Sequence, residues 1–305
     1  VSTTRFVMNQ LEKEDDFRVV ALGSSIANGR DFSEWLGVSK GKIFNFAATE
    51  RSQPIEIHLR SLNINHYPSF VTSLLKSSYK YVKQYVESSG GKTLVFSSTR
   101  KQAIDIATNF IKFAKHDNYS FAGAQMATKH EKLIDQISDT VLKSLLRNGF
   151  GIYYKNMAEA DRLITDRLFN AHIIKVIFAS REACYFTPQA NLVMVLGTQY
   201  FEGSEHRYVD YTASELLEMI GNAVRNSAVN EYYDEALGKA VIFTTTGKRE
   251  YYKRFLNFAI PVESNFNYFI NDSFIDEIAS GVISTKQDCM DWLTYSFFYR
   301  RLQLN

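Results

Sequence analysis

Cysteine and proline are scarce in this chain, and the few cysteines exclude two classes of site. The 305 residues include only two cysteines and four prolines. Cys184 and Cys289 are far apart in sequence and match no zinc-ligand spacing, so neither a zinc site nor a disulfide framework is predicted. The histidines are scattered as well. We therefore expect no metal site and a reducing compartment.

Long apolar runs and a strong charge of either sign are also absent. No run approaches the roughly 18 apolar residues that cross a bilayer, and the N-terminus lacks a basic and then apolar signal. These absences predict a soluble intracellular protein without membrane contact. The chain has 35 basic and 33 acidic residues, a net charge of +2. So small an excess does not predict nucleic-acid binding by the whole chain, and any RNA contact must be local.

The sequence does contain short apolar runs that alternate with amphipathic helices. Continuous apolar runs predict buried strands at 93–96, 150–154, 173–179, 192–196 and 240–244, and period-two alternation predicts an edge strand at 55–59. Helical spacing predicts helices at 70–86, 102–114, 131–147, 158–169 and 214–221. Buried strands that alternate with helices indicate an α/β fold whose parallel sheet is covered by helices on both faces.

The pattern divides the chain into three parts, of which 49–255 is the α/β domain. Residues 1–48 contain a further predicted strand at 18–22 that ends in Gly and Ser residues, followed by a linker. Such a strand end is where α/β folds bind ligands, and it also fits an ordinary turn. Residues 256–305 begin a small helical domain, with helices predicted at 265–270, 274–280 and 286–301. Their many aromatic residues indicate a packed core rather than a stacking platform for bases.

The stretch 214–225 carries the most informative pattern in the chain. Three of its residues lie three and four apart and form an apolar helix face: Leu216, Leu217 and Ile220. Three others repeat the same spacing on a polar face: Glu218, Asn222 and Arg225. The helix is expected to end at Gly221. A polar face of this kind predicts a polar partner.

The order of these motifs resembles that of superfamily 2 DExH-box RNA helicases. The segments at 21–28, 93–100, 149–154 and 178–188 are similar to the end of the first RecA-like domain, the start of the second, the Gly-Val-x-x-His-His stretch and the Ala-Thr loop. Residues 218–225 resemble the last motif, Gln-Met-x-Gly-Arg-Ala-Gly-Arg, whose arginines reach the γ-phosphate of ATP. The tail at 261–264 and 291–301 looks like the winged-helix entry of the large two-cassette helicases of the U5 small nuclear ribonucleoprotein. The two-cassette helicases of the activating signal cointegrator complex remain an alternative.

This resemblance implies an identity for each part of the chain. Residues 1–48 would be the end of a first RecA-like domain and a linker, 49–255 the second RecA-like domain, and 256–305 the start of a winged-helix domain. The phosphate loop and the Asp-Glu pair that hold ATP and Mg²⁺ would precede Val1, which is not a methionine. The segment is therefore expected to hold no cofactor of its own, and ATP and Mg²⁺ belong to the intact parent cassette. No catalytic residue is predicted in it.

Several residues depart from the family pattern where ATP would be bound. Glu218 occupies the Gln position and Asn222 the first Arg position, and only Arg225 is retained. Asparagine cannot supply the charged planar fork of arginine, and the loss of such a group costs roughly 10³-fold or more in rate. These three residues are candidates for a vestigial nucleotide site.

The departures extend to the nucleic-acid motifs. Tyr153 and Tyr154 replace the paired histidines, and Phe186 and Pro188 replace the Gly and Asn of the Ala-Thr loop. The resemblance then implies the degenerate C-terminal cassette of a nuclear spliceosomal helicase, used as a docking platform for other spliceosomal proteins and connected to the N-terminal cassette of the same chain.

Two other functions remain open. The segment could be half of a working RNA-dependent ATPase with Arg225 as its arginine finger, or an RNA-binding fragment that contacts phosphates through Thr99, Arg100 and Ser180. In the competing structural interpretations, Arg225 pairs with Glu218 or Glu215 on the surface, and Thr99 and Ser180 cap their loops. The interpretation as a helicase predicts that Ser180 and Arg225 lie at the same rim of the sheet.

Overall fold

The structure, a computed structural model, describes residues 1–11, 20–23, 26–38, 42–47, 50–122, 128–225, 237–259 and 261–304. Their contacts divide the chain into two compact units. One unit is Ser52–Lys253, and the other combines Val1–Arg51 with Arg254–Asn305. The family resemblance assigns a part of a helicase to each of the ranges 1–48, 49–255 and 256–305. That assignment remains a prediction.

The secondary structure of the described residues consists of eight strands and twelve α-helices. The strands are β1 Ile55–Leu62, β2 Thr93–Ser97, β3 Phe150–Tyr153, β4 Val176–Ser180, β5 Leu192–Leu196, β6 Gln199–Glu202, β7 Arg207–Asp210 and β8 Gly238–Thr245. The helices are α1 Ser2–Leu11, α2 Gly29–Trp35, α3 Tyr67–Ser89, α4 Arg100–His116, α5 Thr128–Asp135, α6 Thr140–Arg147, α7 Glu159–Asn170, α8 Ala213–Gly221, α9 Arg249–Asn257, α10 Ile270–Ala279, α11 Lys286–Thr294 and α12 Phe297–Leu304.

The larger unit is built on a six-stranded sheet in the order β1-β8-β5-β2-β4-β3. Every pair in it is parallel. The central strands β2, β4 and β5 are buried along their whole length and mostly apolar, as the sequence predicts for a parallel sheet. The α/β fold class is confirmed, and β1 is the predicted edge strand.

An aromatic cluster forms the core beside β3 and β4. The ring of Phe110 on α4 lies edge-on to Phe178 at 5.1 Å, and the rings of Phe121 and Phe150 are 5.0 Å apart. All four side chains are buried. This packing holds α4 against β3 and β4, and the candidate site lies beyond the carboxyl ends of those strands.

Three elements differ from the sequence prediction. The helix predicted over 131–147 is two helices, because the side chain of Asp139 accepts hydrogen bonds from the main-chain N–H groups of Val141 and Leu142 and begins α6 there. The antiparallel hairpin β6–β7 was not predicted. A strand at 20–22 is wrong, since Val20 and Leu22 are exposed and no described strand pairs with them; residues 18 and 19 lie outside the described ranges.

The smaller unit brings the two ends of the chain together. Phe6 of α1 packs against Ile283 and Trp292 in one apolar cluster. The indole N–H of Trp35 on α2 donates to the carbonyl of Tyr295 at 2.7 Å. The N-terminal and C-terminal segments therefore share a core, which sequence alone did not predict.

The last helices of this unit also differ from the prediction. Residues 266–268 form a 3₁₀ turn instead of a helix. The helix predicted over 286–301 is interrupted before Phe297, because the hydroxyl of Ser296 accepts from the N–H of Tyr299 and starts α12. Trp292 and Phe297 are buried, as expected for a packed core.

Candidate functional site

A cleft of about 440 Å³ opens at the carboxyl edge of the sheet, just beyond β2, β3 and β4. Residues 98–100, 154–156, 180–182 and 200–202 line it. The three strands end together because they are parallel and in register, with Ser97 opposite Ser180 and Tyr153 opposite Ala179. Thr99, Arg100 and Ser180, which were predicted separately from two motifs, all lie in this one cleft.

Thr99 and Ser180 have different surroundings in the cleft. Thr99 is the N-cap of α4, and its hydroxyl accepts from the N–H of Gln102 at 3.2 Å, as the loop-capping interpretation expects. Ser180 is 3% exposed, and its hydroxyl has no hydrogen-bond partner among the described residues. A buried hydroxyl without a partner is costly, so Ser180 has a free polar group that a bound ligand could satisfy.

Arg100 is held by two neighbours. Its guanidinium lies 3.9 Å from the centre of the Tyr154 ring, and Nη2 donates to Oδ2 of Asp139 at 3.0 Å. The Tyr154 hydroxyl donates to the same carboxylate at 2.8 Å. A cation stacked on an aromatic face and bonded to a carboxylate has little freedom to reorient.

The pKa shifts fix the protonation states of this group. Burial, and then the hydrogen bond to Asp139, raise the pKa of Tyr154 to about 12. Burial alone would raise the pKa of Asp139, but the hydrogen bonds from Tyr154 and from main-chain donors outweigh it, and the pKa is lowered. At neutral pH the tyrosine is therefore neutral and the carboxylate is ionised.

Arg181 repeats the arrangement on the other side of the cleft, and sequence reasoning missed it. Its guanidinium lies 3.9 Å from the ring centre of Tyr200 on β6 and forms an ion pair with Glu215 on α8. Glu215 also closes a capping box with Thr212 at the start of α8. The available signal was its position in the sequence, since Arg181 directly follows Ser180, the last residue of the buried strand β4.

The predicted nucleotide residues lie at the end of α8. The helix ends at Gly221 as predicted, and Asn222 is its C-cap. The amide of Asn222 donates to the carbonyl of Glu218 at 3.0 Å and to that of Cys184 at 3.2 Å. Arg225 lies beyond the end of the helix. The prediction that Glu218, Asn222 and Arg225 share one helix face is therefore wrong for Arg225.

Ser180 and Arg225 lie at opposite edges of the sheet, and the predicted common rim is wrong. Ser180 is the last residue of β4, at the carboxyl edge. The carbonyl of Arg225 accepts from the side chain of Asn191, which immediately precedes β5, and Ala190 bridges to Ala223 beside it. The reason is the direction of α8, which returns the chain from the carboxyl edge to the amino edge between two parallel strands.

The two tyrosines that replace the family histidines have distinct roles. Tyr154 lies in the cleft, whereas Tyr153 is fully buried and its hydroxyl donates to the carboxylate of Asp166 on α7. Tyr153 therefore joins β3 to its covering helix and contributes to the core. Only one of the two positions is available to a ligand.

Other chemistry is not evident in the described ranges. No cluster of His, Cys, Asp and Glu side chains there could hold a metal ion. Burial raises the pKa of Cys184 to about 12, so this thiol is not activated as a nucleophile. No helix among the described residues is long and apolar enough to span a membrane.

Comparison with known proteins places these features in a family. A family model of a winged helix-turn-helix domain matches residues 263–305. Over its whole length the chain is 37% identical to the pre-mRNA-splicing factor brr2 of Schizosaccharomyces pombe and 33% identical to the human U5 small nuclear ribonucleoprotein 200 kDa helicase. The chain is homologous to a segment of the large U5-type DExH-box RNA helicases. It spans 14% of the length of each of these relatives.

The predicted resemblance is confirmed, including the winged-helix domain at the C-terminus. Activating signal cointegrator 1 complex subunit 3 of Bos taurus is also similar, at 34% identity over the whole chain, so the sister group suggested by the motifs is represented too. The chain thus combines an all-parallel six-stranded sheet, a polar cleft at its carboxyl edge and a match to a winged-helix domain at its C-terminus.

Proposed function

We propose that this chain is part of a spliceosomal ATP-dependent RNA helicase, in a degenerate cassette that serves as a protein-interaction and regulatory platform. It would act in the nucleus during pre-mRNA splicing, with other spliceosomal proteins and the N-terminal helicase cassette of the same chain as partners. ATP and Mg²⁺ would belong to the intact parent cassette, and this segment would contribute no catalytic residue.

The observation that carries this proposal is the structural use of Asn222. Its side-chain amide has two N–H donors, and the two carbonyls that it contacts, of Glu218 and Cys184, account for both. A neutral side chain bonded to main-chain carbonyls is suited to ending a helix and tying it to the loop after β4. It is not suited to stabilising charge on a transferring phosphate, for which the family uses arginine.

Exposed apolar side chains on the smaller unit support the role as a platform. Ile275 and Ile278 lie one turn apart on the outer face of α10 and are 64% and 56% exposed. Tyr268 and Phe269, just before this helix, are 78% and 60% exposed. A group of large apolar side chains at the surface is typical of a protein-binding site.

A quantitative pull-down tests this proposal. The chain is immobilised in nuclear extract, and the bound splicing proteins are quantified by mass spectrometry. We expect their recovery to fall at least about tenfold in Ile275→Ser/Ile278→Ser, which corresponds to the loss of an apolar contact of roughly 1.4 kcal/mol or more. The matched control is Leu163→Ser, since Leu163 is equally exposed at 57% but belongs to the other unit. Failure to recover splicing proteins with the unmutated chain would contradict the proposal.

RNA binding in the cleft is the second candidate function. It is supported by the convergence of Thr99, Arg100 and Ser180 at one edge of the sheet and by the buried, unpartnered hydroxyl of Ser180 among the described residues. A titration with short oligo(U) at increasing salt tests it. Each phosphate contact should contribute about −0.7 to the slope of log K against log salt. Affinity without a salt dependence, or no affinity, would contradict this function.

A further inference from the structure

Tyr154 and Asp139 surround Arg100 in the cleft, and their contacts suggest how RNA would be held there. This inference rests on the second candidate function, RNA binding, and is independent of the platform function. We propose that they are positioning residues, which hold the Arg100 guanidinium in the cleft as a fixed contact for a phosphate of single-stranded RNA. In the family pattern the position of Tyr154 is a histidine, so this support belongs to the present chain.

The three side chains form a closed set of contacts. Asp139 Oδ2 accepts both from Arg100 Nη2 at 3.0 Å and from the Tyr154 hydroxyl at 2.8 Å, and the guanidinium lies 3.9 Å from the centre of the Tyr154 ring. Each side chain therefore contacts the other two. Displacing any one of them removes two contacts from the set.

Asp139 is itself held from behind. Its other oxygen, Oδ1, accepts from the N–H groups of Val141 and Leu142 at the start of α6. Its own N–H donates to the carboxylate of Asp161 on α7 at 3.1 Å, and Asp161 is 2% exposed. The carboxylate that holds Arg100 is thus anchored to two helices.

This arrangement leaves Arg100 able to bind while restricting its movement. Its side chain is 49% exposed, and only one of the five guanidinium N–H donors is used by Asp139. A free arginine loses rotamer entropy when it binds, and an arginine that is already ordered loses less. The carboxylate reduces the net charge at the site, so its benefit must come from orientation.

Affinity for a short oligo(U) of about 12 nucleotides measures this effect, because a phosphate contact should weaken when its arginine is no longer held. We expect Arg100→Ala to weaken binding about fivefold to tenfold and Tyr154→Leu to approach that loss. Tyr154→Phe keeps the ring and loses the bond to Asp139, so a twofold to threefold loss is expected, on the order of a single hydrogen bond.

Two matched controls separate positioning from general damage. Arg147→Ala removes the same charge from an exposed ion pair, with Asp135, at the amino edge of the sheet. Tyr79→Phe removes another hydroxyl that donates to a carboxylate, that of Asp117, far from the cleft. Both variants should bind oligo(U) with an affinity within about twofold of that of the unmutated chain, because screened charges far from the cleft have only weak effects.

A double-mutant cycle and a pH profile provide the decisive measurements. In the Arg100→Ala background, Tyr154→Leu should have almost no further effect, because the group that it positions is gone. Tyr154→His introduces a group that titrates between about pH 5.5 and 8 beside Asp139, Arg100 and Asp161. Once protonated, it should compete with Arg100 for Asp139, so oligo(U) affinity should fall with decreasing pH in this variant alone.

The possible failures are distinguishable. Equal losses from Tyr154→Leu with and without Arg100 would overturn the positioning role while leaving RNA binding in place. An unchanged affinity in Arg100→Ala would likewise overturn the positioning role alone. No binding of oligo(U) by the unmutated chain would overturn both the positioning role and the second candidate function. The platform function would be unaffected, since the nuclear-extract experiment tests it separately.

Discussion

Replacing Asp161 by alanine is expected to destabilise the larger unit by about 3 kcal/mol. The Asp161 carboxylate is 2% exposed and accepts three hydrogen bonds: from the N–H and the hydroxyl of Ser138, at 2.9 and 2.7 Å, and from the N–H of Asp139 at 3.1 Å. A partly buried donor left without its acceptor costs roughly 1 kcal/mol or more, and three such donors give the estimate. Asp161→Asn keeps one acceptor oxygen, so about half of the loss is expected.

Urea unfolding followed by far-UV circular dichroism measures this loss. Trp35 and Trp292 are the chain's two tryptophans, and both belong to the smaller unit, so their fluorescence reports that unit in the same titration. Hydrogen exchange of peptides from 138–170 should show where protection is lost. If Asp161→Ala changes the free energy of unfolding by less than about 0.5 kcal/mol, the contribution assigned to these bonds is wrong.

Three further predictions address other parts of the chain. Asn222→Ala removes two bonds to main-chain carbonyls and should lower the free energy of unfolding by about 1 to 2 kcal/mol in urea. Hydrogen bonds, the largest from His116, lower the pKa of Asp117 to about 2. The ionised carboxylate therefore stabilises the fold above about pH 4, and this contribution is lost as the pH falls towards 2. Asp117→Asn should reduce the change in the free energy of unfolding over that pH interval. Gly149 has a φ of +84°, and an added Cβ would lie 2.3 Å from the N atom of Ala122, so Gly149→Ala should lower Tm by several degrees, or about 2 kcal/mol.

The sheet was predictable because its strands are buried on both faces. Runs such as Leu192–Leu196 have no polar residue, and such runs separated by helical spacing fit few folds other than a parallel sheet. The carboxyl ends of parallel strands meet at one edge of the sheet, and Thr99, Arg100 and Ser180 lie in one cleft for this reason. Register and order within the sheet still required the structure.

The position of Arg225 could have been predicted correctly from chain direction. A helix between two parallel strands must run antiparallel to them, so the end of α8 has to lie at the amino edge of the sheet. The motif spacing alone favoured one continuous face through Gly221 and obscured this point. The placement of Ser180 and Arg225 at opposite edges of the sheet therefore follows from the order and direction of the elements, without knowledge of contacts between distant residues.

The remaining differences depend on contacts between distant residues. Helical periodicity continues through 131–147, but the Asp139 cap interrupts the helix, and the bonds from the loop at 138–139 to the distant Asp161 hold that cap in place. Likewise, Trp35 and Tyr295 are 260 residues apart, and nothing local indicates that their segments share a core. Arg181 was missed because its carboxylate and aromatic partners come from α8 and from an unpredicted hairpin.

We propose that this scaffold no longer supports ATP hydrolysis, and measuring ATP turnover by the isolated parent cassette that contains it tests this proposal. Turnover is measured with and without single-stranded RNA, for the unmutated cassette and for Arg225→Ala. We predict background rates in all four measurements, because Asn222 is committed to main-chain carbonyls where the family pattern has arginine. RNA-stimulated turnover that Arg225→Ala abolishes would contradict the account and identify a working motor.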